Sequence, residues 1–148
     1  MSDKRICNFV FLLGLEVATK HSLPTQLHTG FGDKDLDLLL ANPLHLRDVL
    51  EDARFAKSVI VLLHTSHPYS KEASYLAHVY QQVYLDWGLV FHMLSSRSIQ
   101  DTTHDLFSMT PLSKVGTTPP LTALTPVPVL VPVLVGHFWS SFISSLSQ

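Results

Sequence analysis

The sequence predicts an α/β fold built on a parallel sheet, and three observations carry that reading. Strand-like runs at "TQLH", "VIVLLH" and "VYLDWGL" are separated by stretches of helical period. The middle run, residues 59–64, is continuously apolar and rich in β-branched side chains, which suits a strand covered on both faces. The resulting order, helix and strand in alternation, is that of βαβ units. A chain of 148 residues is long enough for one core.

Each element has its own signal. Residues 3–21 place Ile6, Phe9, Val10, Leu13, Val17 and Ala18 at helical spacing, and Pro24 ends the pattern. "TQLH" follows as a short strand with Leu27 inward. The loop from Thr29 to Pro43 carries Gly30, Gly32 and a charged cluster, with Leu36, Leu38, Leu39 and Leu40 expected to pack down locally. "NPLHLRDVLEDARFAKS" reads as one helix, capped by Asn42, with Pro43 at its first position and Leu46, Val49, Leu50 and Phe55 on one face. After the central strand, "SKEASYLAHVYQQ" reads as a helix capped by Ser70, its Glu72 suited to the positive end of the dipole. A third strand is expected over residues 83–89, a weaker helix over 101–109, and the start of a fourth strand at "LSKV".

Composition narrows the function classes. The formal net charge of -2 implies no electrostatic pull toward nucleic acid or an anionic membrane. The single cysteine, Cys7, excludes an internal disulfide framework and a cysteine-rich zinc site. The N-terminal apolar stretch is soon followed by Glu16 and Lys20, so it reads as a helix rather than a signal peptide, and the expected compartment is the reducing cytoplasm. Every charged residue lies between Asp3 and Lys114, whereas the uncharged segment 116–148 holds five of the nine prolines. A boundary is therefore placed at 115, with a partial domain over 1–115 and a Pro-rich tail, expected to be disordered, over 116–148. Residues 127–146 match a bilayer span in length, but Pro128, Pro132, His137 and four serines argue against one.

Two of the strands end on histidine, at His28 and His64, and the third ends at Asp86. Ligands in parallel α/β folds sit beyond the carboxyl ends of the strands. Neighbouring strands would bring these side chains together, and imidazole and carboxylate suit zinc and similar divalent cations. His21, His45, His67 and His78 read as solvated loop or helix residues, with His67 near enough to His64 to be recruited as a third ligand; His92 and His104 sit in no pattern. Asp33, Lys34, Asp35 and Asp37 read as a salt-laced loop. Gly30 and Gly32 lack the lysine-serine pair of a phosphate loop.

The stretches "LHTGFGDKDLDLLLANPLHLRDVLED" and "VIVLLHTSHPYSKEASYLAHVYQQVYLDWGL" resemble the amidohydrolase-related domain of plant nodulin and glutamine-synthetase-like proteins of the FluG type, over about residues 6–115. The resemblance implies a (β/α)8 TIM barrel of the metal-dependent hydrolase type, joined in that family to a glutamine-synthetase-type domain. "TQLHTG" looks like barrel strand 5, which makes His28 a metal ligand. "VLLHTS" looks like strand 6, which makes His64 a metal ligand or the acid/base acting on the attacking water. "VYLDWGL" looks like strand 7, where Asp86 is not a standard ligand, so its expected role becomes second shell or structural. The strand-1 His-x-His pair, the strand-4 bridging group and the strand-8 aspartate have no counterpart in the sequence. The expectation is thus an incomplete barrel of units 5–7 with a non-homologous tail. The complete domain would hydrolyse C–N or similar bonds of a small molecule with a divalent metal, zinc by preference. The chain alone is expected to be inactive, with self-association through open sheet edges. The alternatives are a non-enzymatic interaction or scaffold module, or a fragment attached to a membrane through the tail.

Overall fold

The computed structural model describes residues 4–115, apart from positions 33, 35 and 89. The expected tail and its possible membrane span lie outside the described residues. Within them, no helix is long and apolar enough to cross a membrane.

The first helix, α1, spans Lys4–Lys20. Its end is a Schellman turn: Leu23 N–H donates to the Ala18 carbonyl at 2.8 Å and Ser22 N–H to the Thr19 carbonyl at 3.2 Å. Ser22 takes the left-handed conformation there, at φ 54°. The buried face differs from the expected one. Cys7, Phe11, Leu15 and Ala18 face the core, while Ile6, Phe9, Val10, Leu13 and Val17 are exposed. Apolar residues nearly encircle this helix, so a 3.6-residue period fits two stripes equally and only packing chooses between them.

Strands β1 (Pro24–His28), β2 (Val59–Leu63) and β3 (Val83–Leu85) form a parallel sheet in the order β1-β2-β3. The register sets Pro24 against Val59 and His28 against Leu63, so both strands end level. β2 is buried along its centre, as its unbroken apolar run required. β3 is shorter than expected and stops just before Asp86. Val115 makes a single parallel bridge to Leu85, on the position where a fourth strand would lie.

The segment 42–58 is not one helix. Asn42 Oδ1 accepts from Leu44 N–H and Pro43 opens a 3-10 turn, Pro43–Leu46, which continues into α2, Arg47–Glu51. Asp52 then turns extended, at ψ 120°, and its carboxylate caps a second 3-10 turn, Ala53–Phe55. A short polar side chain competing for backbone N–H groups is what breaks the helix. Leu46, Val49, Leu50 and Phe55 are nevertheless all buried.

Helix α3 (Ser70–Val79) packs on β3 and on α5 (Ser96–Met109); a single turn, α4 (Val90–Met93), comes before α5. Ser70 does not cap α3 but is its first residue, and its buried hydroxyl has no hydrogen-bond partner. The core joins Leu27, Ile60, Leu62, Val83 and Leu85 of the sheet to Phe11 and Leu15 of α1 and to Ala73, Leu76 and Ala77 of α3.

Lys114 closes the far side. Its ammonium donates to the carbonyls of Ala77 at 2.9 Å and Tyr80 at 2.8 Å, at the negative end of α3, and lies 5.7 Å from the Tyr84 ring centre. Burial pushes its pKa below the usual lysine value. Lys114→Met, which keeps the apolar stem and deletes both bonds, is expected to lower unfolding free energy by about 1–2 kcal/mol in urea titration. A change below about 0.5 kcal/mol would show that water serves the two carbonyls equally well.

Candidate metal and catalytic site

The site is assembled where β1 and β2 end. Beyond Leu63 the chain enters the left-handed region for three consecutive non-glycine residues: His64 (φ 58°), Thr65 (φ 53°) and Ser66 (φ 56°). Each such residue costs roughly 1–2 kcal/mol, so the turn must be held by its surroundings. Thr65 N–H donates to the Asp86 carbonyl at 2.8 Å, and the Thr65 hydroxyl to the His64 carbonyl at 2.6 Å. The hydroxyls of Ser66 and Thr29 are hydrogen-bonded at 2.6 Å, in full burial.

The loop after β1 locks onto this turn. Gly30, at φ 73°, lies so close to Ser66 and His67 that a Cβ there would stand 2.2 Å from Ser66 C and O and 2.3 Å from His67 O. Gly30 N–H donates to the Ala41 carbonyl at 2.8 Å and Phe31 N–H to the His67 carbonyl at 2.6 Å. Glycine is required here both for its positive φ and for its missing side chain.

The turn leaves the His64 ring, 6% exposed, spanning the ends of both neighbouring strands. Toward β3, His64 Nδ1 donates to the Gly88 carbonyl at 2.8 Å; toward β1, His64 Nε2 lies 3.1 Å from His28 Nδ1. A carbonyl only accepts, so this contact puts the His64 proton on Nδ1 and leaves Nε2 as a bare lone pair in the neutral ring. That lone pair is aimed at His28. The Phe31 ring lies 5.8 Å from both His64 and His67, an aromatic wall on one side of the pair.

His28 and His64, expected to converge, do. Asp86 does not join them: its carboxylate accepts Gly88 N–H at 2.7 Å and so holds the turn after β3. His67 is not solvated as expected. It is half-buried, its Nδ1 lies 3.2 Å from the Thr102 hydroxyl of α5, and burial lowers its pKa. His45 is likewise half-buried, with its pKa lowered for the same reason. His78, exposed, donates from Nδ1 to the Met109 carbonyl at 3.0 Å. Asp37 is a turn cap, accepting from Leu39 N–H at 3.0 Å; positions 33 and 35 and the His92 side chain lie outside what is described. Among the described residues, no group of three or more His, Cys, Asp or Glu could hold a metal ion.

Gly30, Phe31, Gly88 and Thr102 were not singled out for the site in the sequence. A glycine two residues past a strand-end histidine, as in "HTG", is the signal that could have marked Gly30 as a close backbone approach. "DWG" is the matching signal for Gly88.

The spacing of the pair is compatible with one divalent cation. Two imidazole nitrogens on one zinc, each at about 2 Å, stand roughly 3–3.4 Å apart. The observed 3.1 Å fits that, and it equally fits one proton shared between the rings, which a cation would displace.

The amidohydrolase family model matches residues 11–131. The chain is 41% identical over 115 residues to protein fluG of Emericella nidulans, an alignment covering 78% of the chain but only 13% of that protein. Its fold is similar to a crystal structure described as a metal-dependent hydrolase from Lactobacillus casei, with a TM-score of 0.57 and 25% identity, covering 93% of this chain and 35% of that one.

Proposed function

We propose, for a chain that belongs to the amidohydrolase family, that the ends of β1 and β2 carry part of a metal-dependent hydrolase site, with His28 Nδ1 and His64 Nε2 as ligands to one divalent cation, zinc by preference. The observation that carries the reading is the 3.1 Å approach of the two nitrogens, together with the Gly88 carbonyl that bares His64 Nε2. A bound divalent cation would supply Lewis acidity and a water acidified toward neutral pH. The chain's own residues do the positioning. The left-handed turn aims His64, Gly30 seats the β1 loop against it, and Phe31 keeps one side of the pair apolar. The acid/base role toward a small amide or ester is the alternative to ligation by His64, since Nδ1 is held by the Gly88 carbonyl and Nε2 can serve only one of the two.

In this reading β1, β2 and β3 are units 5–7 of a (β/α)8 barrel, and the site takes its remaining ligands from other units. It fits an alignment that covers 35% of the similar hydrolase. Fusion to a glutamine-synthetase-like domain and a cytoplasmic setting belong to the same reading; a free, buried Cys7 is compatible with the latter. Catalytic zinc commonly has three protein ligands and a water, whereas the described residues supply two.

Calorimetric titration of the 148-residue chain with zinc tests the proposal, followed by assay of amide and ester hydrolysis. The expected result is one zinc per chain at micromolar affinity, with no turnover above background. Absence of zinc binding would remove the site; turnover by the chain alone would remove the claim that further ligands are needed. An interaction module is the second reading, and it draws on the exposed apolar row of α1, Ile6 to Val17. It predicts no zinc binding at all.

A further inference from the structure

Asp86 is 9% exposed, at the end of the strand next to His64. Burying a carboxylate is costly unless its oxygens are satisfied. Here Oδ2 accepts the Gly88 N–H at 2.7 Å, across a turn of two residues. The same glycine presents its carbonyl to His64 Nδ1 at 2.8 Å. Gly88 is thus gripped at its nitrogen by Asp86 and engaged at its oxygen by His64. A Cβ on Gly88 would stand 2.6 Å from Asp86 Oδ2 and 3.6 Å from His64 Nδ1, so the space is shaped to the bare backbone.

The main chain of Asp86 is anchored independently of its side chain. Its N–H donates to the Leu62 carbonyl at 3.0 Å, and its carbonyl accepts from Thr65 N–H at 2.8 Å. The carboxylate is therefore not needed to pair β3 with β2. What it adds is a hold on the Gly88 nitrogen that fixes this residue's backbone, and the carbonyl on the other side of the Gly88 Cα selects the ring nitrogen on which His64 carries its proton. In a folded chain the partner of one ring nitrogen decides the state of the other.

We infer that Asp86 is a positioning residue: through Gly88 it holds His64 in the Nδ1–H tautomer, with Nε2 bare and directed at His28. The consequence for metal binding rests on the function proposed above, but the tautomer does not, and the two can be read apart. Metal-ligating histidines usually donate their second nitrogen to a carboxylate or carbonyl, and disturbing that partner costs 10–100-fold in affinity. In this chain the carboxylate and the carbonyl act in series.

The experiment uses the full chain with ¹⁵N-labelled histidine, and long-range ¹H–¹⁵N correlation of the His64 ring without added metal. Wild type is expected to show Nδ1 protonated and Nε2 bare. Asp86→Asn, which keeps an oxygen able to accept from Gly88 N–H, is expected to match wild type and to bind zinc within about threefold of it. Asp86→Ala is expected to give a mixed tautomer population with the amide spectrum of a folded chain, and to weaken zinc binding about 10–100-fold. Gly88→Ala, which leaves the carboxylate but crowds it, is expected to do the same and stands in if Asp86→Ala does not fold. Retention of the pure Nδ1–H tautomer in a folded Asp86→Ala or Gly88→Ala chain would overturn the inference. A tautomer that responds to Asp86→Ala in a chain that binds no zinc would uphold the positioning role and overturn the metal reading alone.

Discussion

His64→Ala is expected to lower zinc affinity at least about 100-fold, and His28→Ala by a similar factor. The two nitrogens stand 3.1 Å apart and neither has a substitute among the described residues. Removing one leaves a single imidazole, which holds zinc little better than a free histidine side chain does. His67→Ala is the informative contrast. Its ring is turned to Thr102 and Phe31, so its loss is expected to change affinity by less than about threefold. Calorimetry with zinc on the three purified variants decides the matter. An equal loss in all three would make His67 a third ligand and would revive the loop rearrangement that its closeness to His64 in sequence suggests. Indifference to His28→Ala and His64→Ala would mean that any zinc bound sits elsewhere.

Gly30→Ala is expected to destabilise the fold by about 3 kcal/mol or more, the larger of two contrasting glycine effects. The methyl would collide with main-chain atoms of Ser66 and His67, at 2.2 and 2.3 Å, and it would be forced into φ 73°. Neither neighbour can move cheaply. Ser66 is already in the left-handed region, and its hydroxyl is bonded to Thr29 in full burial. Gly32→Ala, two residues on, meets only Leu36 side-chain atoms at 3.7 Å and beyond, and is expected to lie within about 0.5 kcal/mol of wild type. Urea denaturation with an unchanged slope measures both. Equal midpoints for the two variants would show that the loop after β1 is not pressed against the turn after β2.

The sheet and the histidine pair were legible because their signals are local and strong. A continuous apolar run reads as a central strand, and a histidine placed directly after it reads as a strand end, so His28 and His64 could be placed before any coordinates. The orientation of α1 was not legible. With Ile6, Phe9, Val10 and Leu13 competing with Cys7, Phe11 and Leu15, the helix carries two apolar stripes, and the choice is made by β1 and by the turn at Ala53–Phe55. The break at Asp52 lay hidden because the side chain that caps the next turn also suits an exposed helix position. Least legible was the turn His64–Thr65–Ser66. β-branched and small polar residues disfavour positive φ, and contacts from Asp86, Gly88 and the β1 loop at Thr29 and Gly30, distant in sequence, hold them there. Asp86 stands out in the sequence as a strand end, but its partner Gly88 cannot be named without coordinates.

The strand order β1-β2-β3 gives the two histidines unequal footing. His64 follows a strand paired on both sides, and His28 ends a strand that, among the described residues, is paired on one side only. Strands at a sheet edge open at lower free energy than central ones. β1 can therefore fray and carry His28 away while β2 and the rest of the sheet stay closed. Amide protons of β1 should then exchange with deuterated solvent well before those of β2. A cation gripped by both rings would slow the exchange of β1, by a free energy that grows as RT ln(1 + [cation]/Kd) until the global limit is reached. The metal would act as a brace on the outer strand, and its rate of escape would be the rate at which that strand breathes.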